Sequence, residues 1–167
     1  MASGGGLLVT LDGPSGVGKT TVSGLVRDCL ALAGVPVVLT TIPSSSSLGE
    51  LARHGTNQFF GMTLTCLVAA DRYHHDQTTV RNALERGSVV VCDRYVPSSL
   101  VLDILDGVER DHVWSMHGGQ VIGTWAWDAS KMAVTCSIVY GYGSPELSKE
   151  TRRQARKLTE TLRLRWV

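Results

Sequence analysis

The sequence predicts an α/β fold, a doubly wound parallel sheet flanked by helices, folded as a single domain over residues 1–167. Three observations predict it. Short runs of continuous apolar residues alternate with longer stretches of helical spacing, the pattern of strands buried on both faces and joined by crossover helices. The first apolar run breaks into a glycine-rich turn and resumes as a helix. The 167 residues, 43% hydrophobic and 19% charged, suit one globular domain with a sizeable core.

Taken in order, "LLVTLD" (7–12) is the first buried strand, ending at Gly13. From Lys19 to Ala33, apolar side chains recur at Val22, Leu25, Val26, Cys29, Leu30 and Ala33, and Gly34 and Pro36 stop this helix. "VPVVLT" (35–40) is the second strand. "TIPSSSS" (41–47) is a loop by composition, and "LGELARH" supplies one or two helical turns. Residues 61–86 hold no proline and read as a long helix with room for a break, ended by Gly87. "SVVVCD" (88–93) is the third strand. "LDGVERDHVWSMH" (105–117) reads as a helix leaning on the core through Val108, Val113, Trp114 and Met116. "VIGTWAWD" (121–128) is a fourth strand, Ala129–Tyr140 a helix after it, and the tail from Glu146 to Arg165 is rich in charge and helix formers.

A net charge of +1 offers no bulk attraction for nucleic acid or an anionic membrane, so neither partner is expected. No apolar run approaches the roughly 20 residues that cross a bilayer. The opening "MASGGGLLVT" lacks a basic stretch before an apolar one, which argues against a secretory leader and for the cytoplasm. Cys29, Cys66, Cys92 and Cys136 sit singly among apolar neighbours and read as small buried hydrophobes in a reducing compartment, with no zinc spacing.

The chemistry concentrates in "VTLDGPSGVGKTT". Gly13, Pro14, Ser15, Gly16, Val17, Gly18, Lys19 and Thr20 match G-x-x-x-x-G-K-[ST], with Thr21 extending the same nucleotide-binding set. Glycines let successive amides form an anion nest, and the following helix adds the positive end of its dipole. Lys19, expected to face solvent, should reach the β- and γ-phosphates, and the Thr20 hydroxyl should ligate Mg²⁺. A second constellation is "VVVCDRYVPSSLVLD", where a buried strand delivers Asp93 and Arg94 to the carboxyl edge of the sheet. Asp93 suits Mg²⁺ or its water shell and Arg94 suits a phosphate; a strand-end ion pair, or Asp93 capping the next helix, is the competing reading.

"LDGPSGVGKTT", "LTTIPSSSSLGELAR", "CLVAADRYHH" and "VVVCDRYVPSSLVLD", in this order, resemble the motifs of bacterial thymidylate kinases over Leu7 to about His117. The resemblance implies a P-loop kinase fold with about five parallel strands. It implies transfer of the ATP γ-phosphoryl group to deoxythymidine monophosphate with Mg²⁺, in a homodimer. It also implies site residues: Arg94 on the acceptor phosphate, Arg72 on the acceptor base, Ser98 and Ser99 lining the base pocket, Pro43 shaping the acceptor site and Arg53 beside it. A lid over residues 141–157 is implied to bring a cation over the phosphates, with Arg152, Arg153 and Arg156 as the candidates beside Lys149.

The chain differs from the family pattern at several of these places. Ser15 stands where the family often has an acidic residue, Thr41-Ile42 replaces Arg-Glu, Val68 replaces the aromatic that stacks on thymine, and Leu102 replaces a tyrosine. Phe59 or Phe60 would be the substitute aromatic, against the commoner core role of such pairs. The family's last strand would begin where "RWV" closes the sequence, so the carboxyl end reads as short. These departures keep two alternatives open: a P-loop kinase with another nucleotide or small-metabolite acceptor, and a nucleotide-binding protein without transfer. His74 and His75 point to different faces of a helix and read as surface or hydrogen-bonding groups.

Overall fold

The structure, a computed structural model, describes residues 6–117 in full and the backbone of residues 135–139. Strand β1 (Leu7–Asp12) leads through the glycine loop into α1 (Lys19–Leu32) and then β2 (Val37–Thr41). Helix α2 (Ser47–His54) and a short 3₁₀ turn (Gly55–Asn57) precede α3 (Gly61–His75). A π-helical stretch (Asp76–Val80) carries α3 into α4 (Arg81–Glu85), so the break expected within residues 61–86 is a change of helical pitch. Strand β3 (Val89–Asp93), α5 (Val96–Leu105), α6 (Arg110–His117) and β4 (Thr135–Val139) complete the described elements.

The sheet order is β2-β3-β1-β4. The first three strands are parallel, with Leu7 opposite Val89 and Val37 opposite the same Val89 on its other side. All residues of β1 and β3 are buried, because a parallel strand covered on both faces has no polar side. The two-residue side-chain period divides them between two cores. Leu7, Val9, Leu11, Val89 and Val91 pack with Leu30 of α1. Leu8, Val90 and Cys92 pack with Val80, Ala83, Leu84, Tyr95 and Val96 on the opposite face.

Within the helix expected over 129–140, strand β4 corrects residues 135–139, and the rest of that range lies outside the described residues. Strand β4 runs antiparallel to β1, Leu8 opposite Val139 and Asp12 opposite Thr135, so the described sheet is mixed, with three parallel strands and one antiparallel. An apolar stretch of this length does not reveal its period, and "TCSIV" is rich in β-branched residues. The open hydrogen-bonding edge of β1 decides the outcome by taking its backbone as partner. The expected strand over 121–128 and the charged tail lie outside the described residues.

Two further expectations are revised. Cys92 is buried, but Cys29 and Cys66 are exposed, each turned away from the core on a helix that buries only a narrow stripe. In α6, Val113 packs at 0% exposure, with Val108 buried just before it, while Trp114 remains 55% exposed. Among the described residues no helix is long and apolar enough to cross a membrane.

Two local contacts hold the layers in register and give predictions. Gly49 on α2 abuts the Ser44 backbone so closely that a Cβ there would lie 2.1 Å from the Ser44 carbonyl oxygen. Gly49→Ala should therefore cost about 2 kcal/mol in chemical denaturation, since rigid backbone must move to admit the methyl. His75, buried at the end of α3, shares a 2.7 Å hydrogen bond with Thr40 Oγ1 on β2. Burial, helped by the neighbouring His74, pushes the His75 imidazole below its ordinary value of 6.5, against the opposing pull of Asp71 and Asp76. The unfolded chain thus protonates His75 at a higher pH than the folded one. Its contribution to stability is full above about pH 6.5 and is lost as the pH falls below that. Thermal melts from pH 7 to pH 5 should show wild type losing more stability than His75→Gln; matching slopes would refute this.

Candidate active site

The glycine loop between β1 and α1 folds through backbone that glycine enters without a Cβ penalty. Gly13, Gly16 and Gly18 have φ of 154°, 77° and 92°. Gly18 is the N-cap of α1, and the first turn has neither a side-chain cap nor an acidic residue. The first amides of a 14-residue helix are therefore left for a ligand, at the positive end of its dipole.

Lys19 does not face solvent as expected. It is 5% exposed, because the loop wraps over its stem, and Nζ donates a 2.5 Å hydrogen bond to the Pro14 carbonyl. Burial pushes the Lys19 ammonium below its ordinary value and the Arg94 guanidinium adds to this, while Asp93 and Asp12 pull it back up. Next along α1, Thr20 Oγ1 donates to Asp93 Oδ2 at 2.6 Å, joining the helix start to the end of β3. Asp93 Oδ1 is buried and, among the described residues, has no hydrogen-bond partner. A buried carboxylate oxygen without a donor beside a threonine hydroxyl suits a hard cation such as Mg²⁺, which prefers oxygen ligands.

The competing reading of Asp93 as a helix cap is excluded. The N-cap position of α5 is Tyr95, with no side-chain cap, and a different carboxylate serves that helix. Asp12 Oδ1 accepts from Tyr95 N at 3.0 Å, Ser98 N at 3.0 Å and Ser98 Oγ at 2.6 Å. Arg94 lies between these elements with φ 69°, a conformation that costs a non-glycine residue free energy. Its guanidinium reaches back to the loop, Nη1 to the Gly13 carbonyl at 3.3 Å and Nη2 to Ser15 Oγ at 3.2 Å.

The facing wall comes from the loop after β2. Thr41 Oγ1 donates to the Asp93 carbonyl at 2.9 Å, and a cis peptide joins Ile42 to Pro43. The serine run that reads as loop is clamped from α3. Asp71, fully buried, accepts from Ser44 N at 2.6 Å, Ser44 Oγ at 2.5 Å and Ser46 Oγ at 2.8 Å. Ser46 Oγ in turn accepts from Gly49 N at 3.2 Å and caps α2. Arg53 donates to the Pro43 and Ser44 carbonyls and pairs with Glu50 at 3.0 Å. Between the walls lies a cleft of about 520 Å³, lined by Ser15, Lys19, Thr20, Pro43, Arg53 and Arg94, with Gly16, Gly18, Thr41, Ile42 and Asp93.

Arg72, Ser98 and Ser99 do not reach this wall. Arg72 is fully buried, its guanidinium on His117 Nδ1 and, at 3.3 Å, on the Met116 carbonyl, while His117 Nε2 meets Asp103 at 3.0 Å. Ser98 turns its hydroxyl to Asp12, and Ser99 is 4% exposed on α5. Val68 packs against the second core, Leu102 is 53% exposed and Phe60 is 78% exposed. Arg152, Arg153 and Arg156, with the rest of residues 141–157, lie outside the described residues. Sequence reasoning assigned no role to Asp12, Thr41 or Asp71. An acidic residue directly before the first loop glycine was the available signal for Asp12; Thr41 and Asp71 act only through tertiary neighbours.

Comparison with known proteins gives a family. The profile of the thymidylate kinase family matches residues 11–120. The thymidylate kinase of Clavibacter sepedonicus is 42% identical over 123 residues, covering 68% of this chain and 58% of that protein. That of Bifidobacterium longum (strain DJO10A) is 42% identical over 103 residues, covering 57% and 50%. Among solved structures, thymidylate kinase from Ehrlichia chaffeensis superimposes with a TM-score of 0.60 at 25% identity, over 67% of this chain and 66% of that one. The chain therefore spans less than two thirds of the length of these curated relatives.

Proposed function

The chain belongs to the thymidylate kinase family, and on that premise we propose that it transfers the γ-phosphoryl group of ATP to deoxythymidine monophosphate. The observation that carries this reading is a single cleft in which Lys19 of the glycine loop and the Arg94 guanidinium, folded back on that loop, both face the wall of Pro43 and Arg53. Phosphoryl transfer needs little covalent work from a protein; positioning and charge neutralisation supply most of the acceleration. The open amides at the start of α1 bind the donor's phosphates, and Lys19 leaves the Pro14 carbonyl to meet the transferred group. Arg94, beside the loop, and Arg53, on the facing wall with Pro43, hold the acceptor phosphate between them. Asp93 and Thr20 would hold Mg²⁺, which when bound neutralises charge on the β- and γ-phosphates. A lid cation among Arg152, Arg153 and Arg156 would complete the surround. We also infer a homodimer, as the family resemblance implies, and a cytoplasmic location from the opening sequence and the scattered cysteines.

A second acceptor remains a defined rival because Val68 and Leu102 replace the family's aromatic and tyrosine. A coupled assay for ADP against a panel of nucleoside monophosphates tests both. Deoxythymidine monophosphate should be the preferred acceptor. Strong turnover of another monophosphate with none of this one would overturn the assignment, and ATP binding without turnover of any acceptor would favour a non-catalytic nucleotide-binding role.

A further inference from the structure

We propose that Asp12 is a positioning residue that holds Arg94 against the phosphate loop; the inference rests on the phosphotransfer reading above. Among the described residues Arg94 is the one non-glycine position with positive φ. A conformation that sparsely populated persists where its surroundings enforce it. Here two hydrogen bonds bracket the residue. Arg94 N donates to the Leu11 carbonyl at 2.9 Å, and the next amide, Tyr95 N, donates to Asp12 Oδ1 at 3.0 Å.

The same oxygen receives Ser98 N and Ser98 Oγ, and Oδ2 receives Thr10 Oγ1 at 3.1 Å, so the carboxylate is 4% exposed and fully engaged. Its charge sits at the first turn of the ten-residue α5, where the helix dipole favours an anion. From this anchor the Arg94 guanidinium returns to Gly13, the residue bonded to Asp12, and to Ser15. Asp12 thus ties the strand that ends in the phosphate loop to the turn that carries the guanidinium, and sets the spacing between Arg94 and Lys19. Asp12 itself does not line the cleft.

A double-mutant cycle with Arg94→Ala tests this, reading the KM for each substrate in the coupled assay. Asp12→Ala should raise the KM for deoxythymidine monophosphate about tenfold and that for ATP less than about twofold. Asp12→Asn keeps the size and an accepting oxygen but not the charge, and should raise the acceptor KM about threefold, a partial rescue. In the Arg94→Ala background neither substitution should change the acceptor KM further. Equal losses in both backgrounds would overturn the proposal, and if Asp12→Ala does not fold the Asp12→Asn arm decides it. A crystal structure of Asp12→Ala gives a readout independent of turnover: Arg94 should leave the left-handed region and release Gly13 and Ser15. An unmoved Arg94 sinks the proposal even if the enzyme phosphorylates deoxythymidine monophosphate. A displaced Arg94 in a chain that phosphorylates no monophosphate overturns the activity and leaves the role of Asp12 standing.

Discussion

Lys19→Ala is expected to lower kcat for phosphoryl transfer by roughly 10³-fold while leaving the chain folded. The loss should be large because the loop fixes the ammonium at the cleft, where charge develops on the transferred group. Stability should move little. Folding buries the Lys19 charge at a cost, visible as the downward push on its titration, and in return gains one hydrogen bond to the Pro14 carbonyl. Removing both terms together is close to neutral. Steady-state kinetics alongside a thermal melt check the two halves. A variant with wild-type turnover would remove Lys19 from the mechanism, and one that has lost its cooperative melt would make it a structural residue instead.

Arg94→Ala should lower kcat/KM for the acceptor by about 10²-fold, the loss of roughly 3 kcal/mol from a charge-assisted contact to phosphate. The KM for ATP should change far less, since the loop amides and Lys19 remain. Equal losses toward both substrates would place Arg94 on the donor instead. Backbone strain supplies an independent check. Alanine at φ 69° inherits the unfavourable geometry, whereas glycine does not, so Arg94→Gly should be about 1 kcal/mol more stable than Arg94→Ala in chemical denaturation. Without the guanidinium, Lys19 should also titrate closer to its ordinary value, because Arg94 is the second cause of its depression after burial.

Much of the fold is legible in the sequence. β1 and β3 read directly as buried runs, because a strand covered on both faces carries no polar alternation to confuse its period. Helix α1 was bounded by Gly18 and Gly34, whose positive φ of 92° and 72° admits few other residues. Residues 135–139 form a strand where the sequence predicts a helix, because both are consistent with so short an apolar stretch; pairing with the edge of β1, a long-range feature, chooses between them. In the cleft, loop and cation were legible because contiguous residues make them. The Asp71 clamp on Ser44 and Ser46 was not, since its partners are separated by 25 to 27 positions.

The sequence by itself determined the phosphate loop, the buried parallel strands on either side of it and the family, since each depends on neighbours along the chain. Tertiary structure alone decided that Lys19 lies buried, that Asp12 rather than Asp93 caps α5, and that Arg72 turns to His117 rather than to the cleft. The physical reason is that a side chain's role is set by which unsatisfied donor or acceptor lies within about 3 Å of it. Packing of distant segments settles that, and local periodicity carries no record of it.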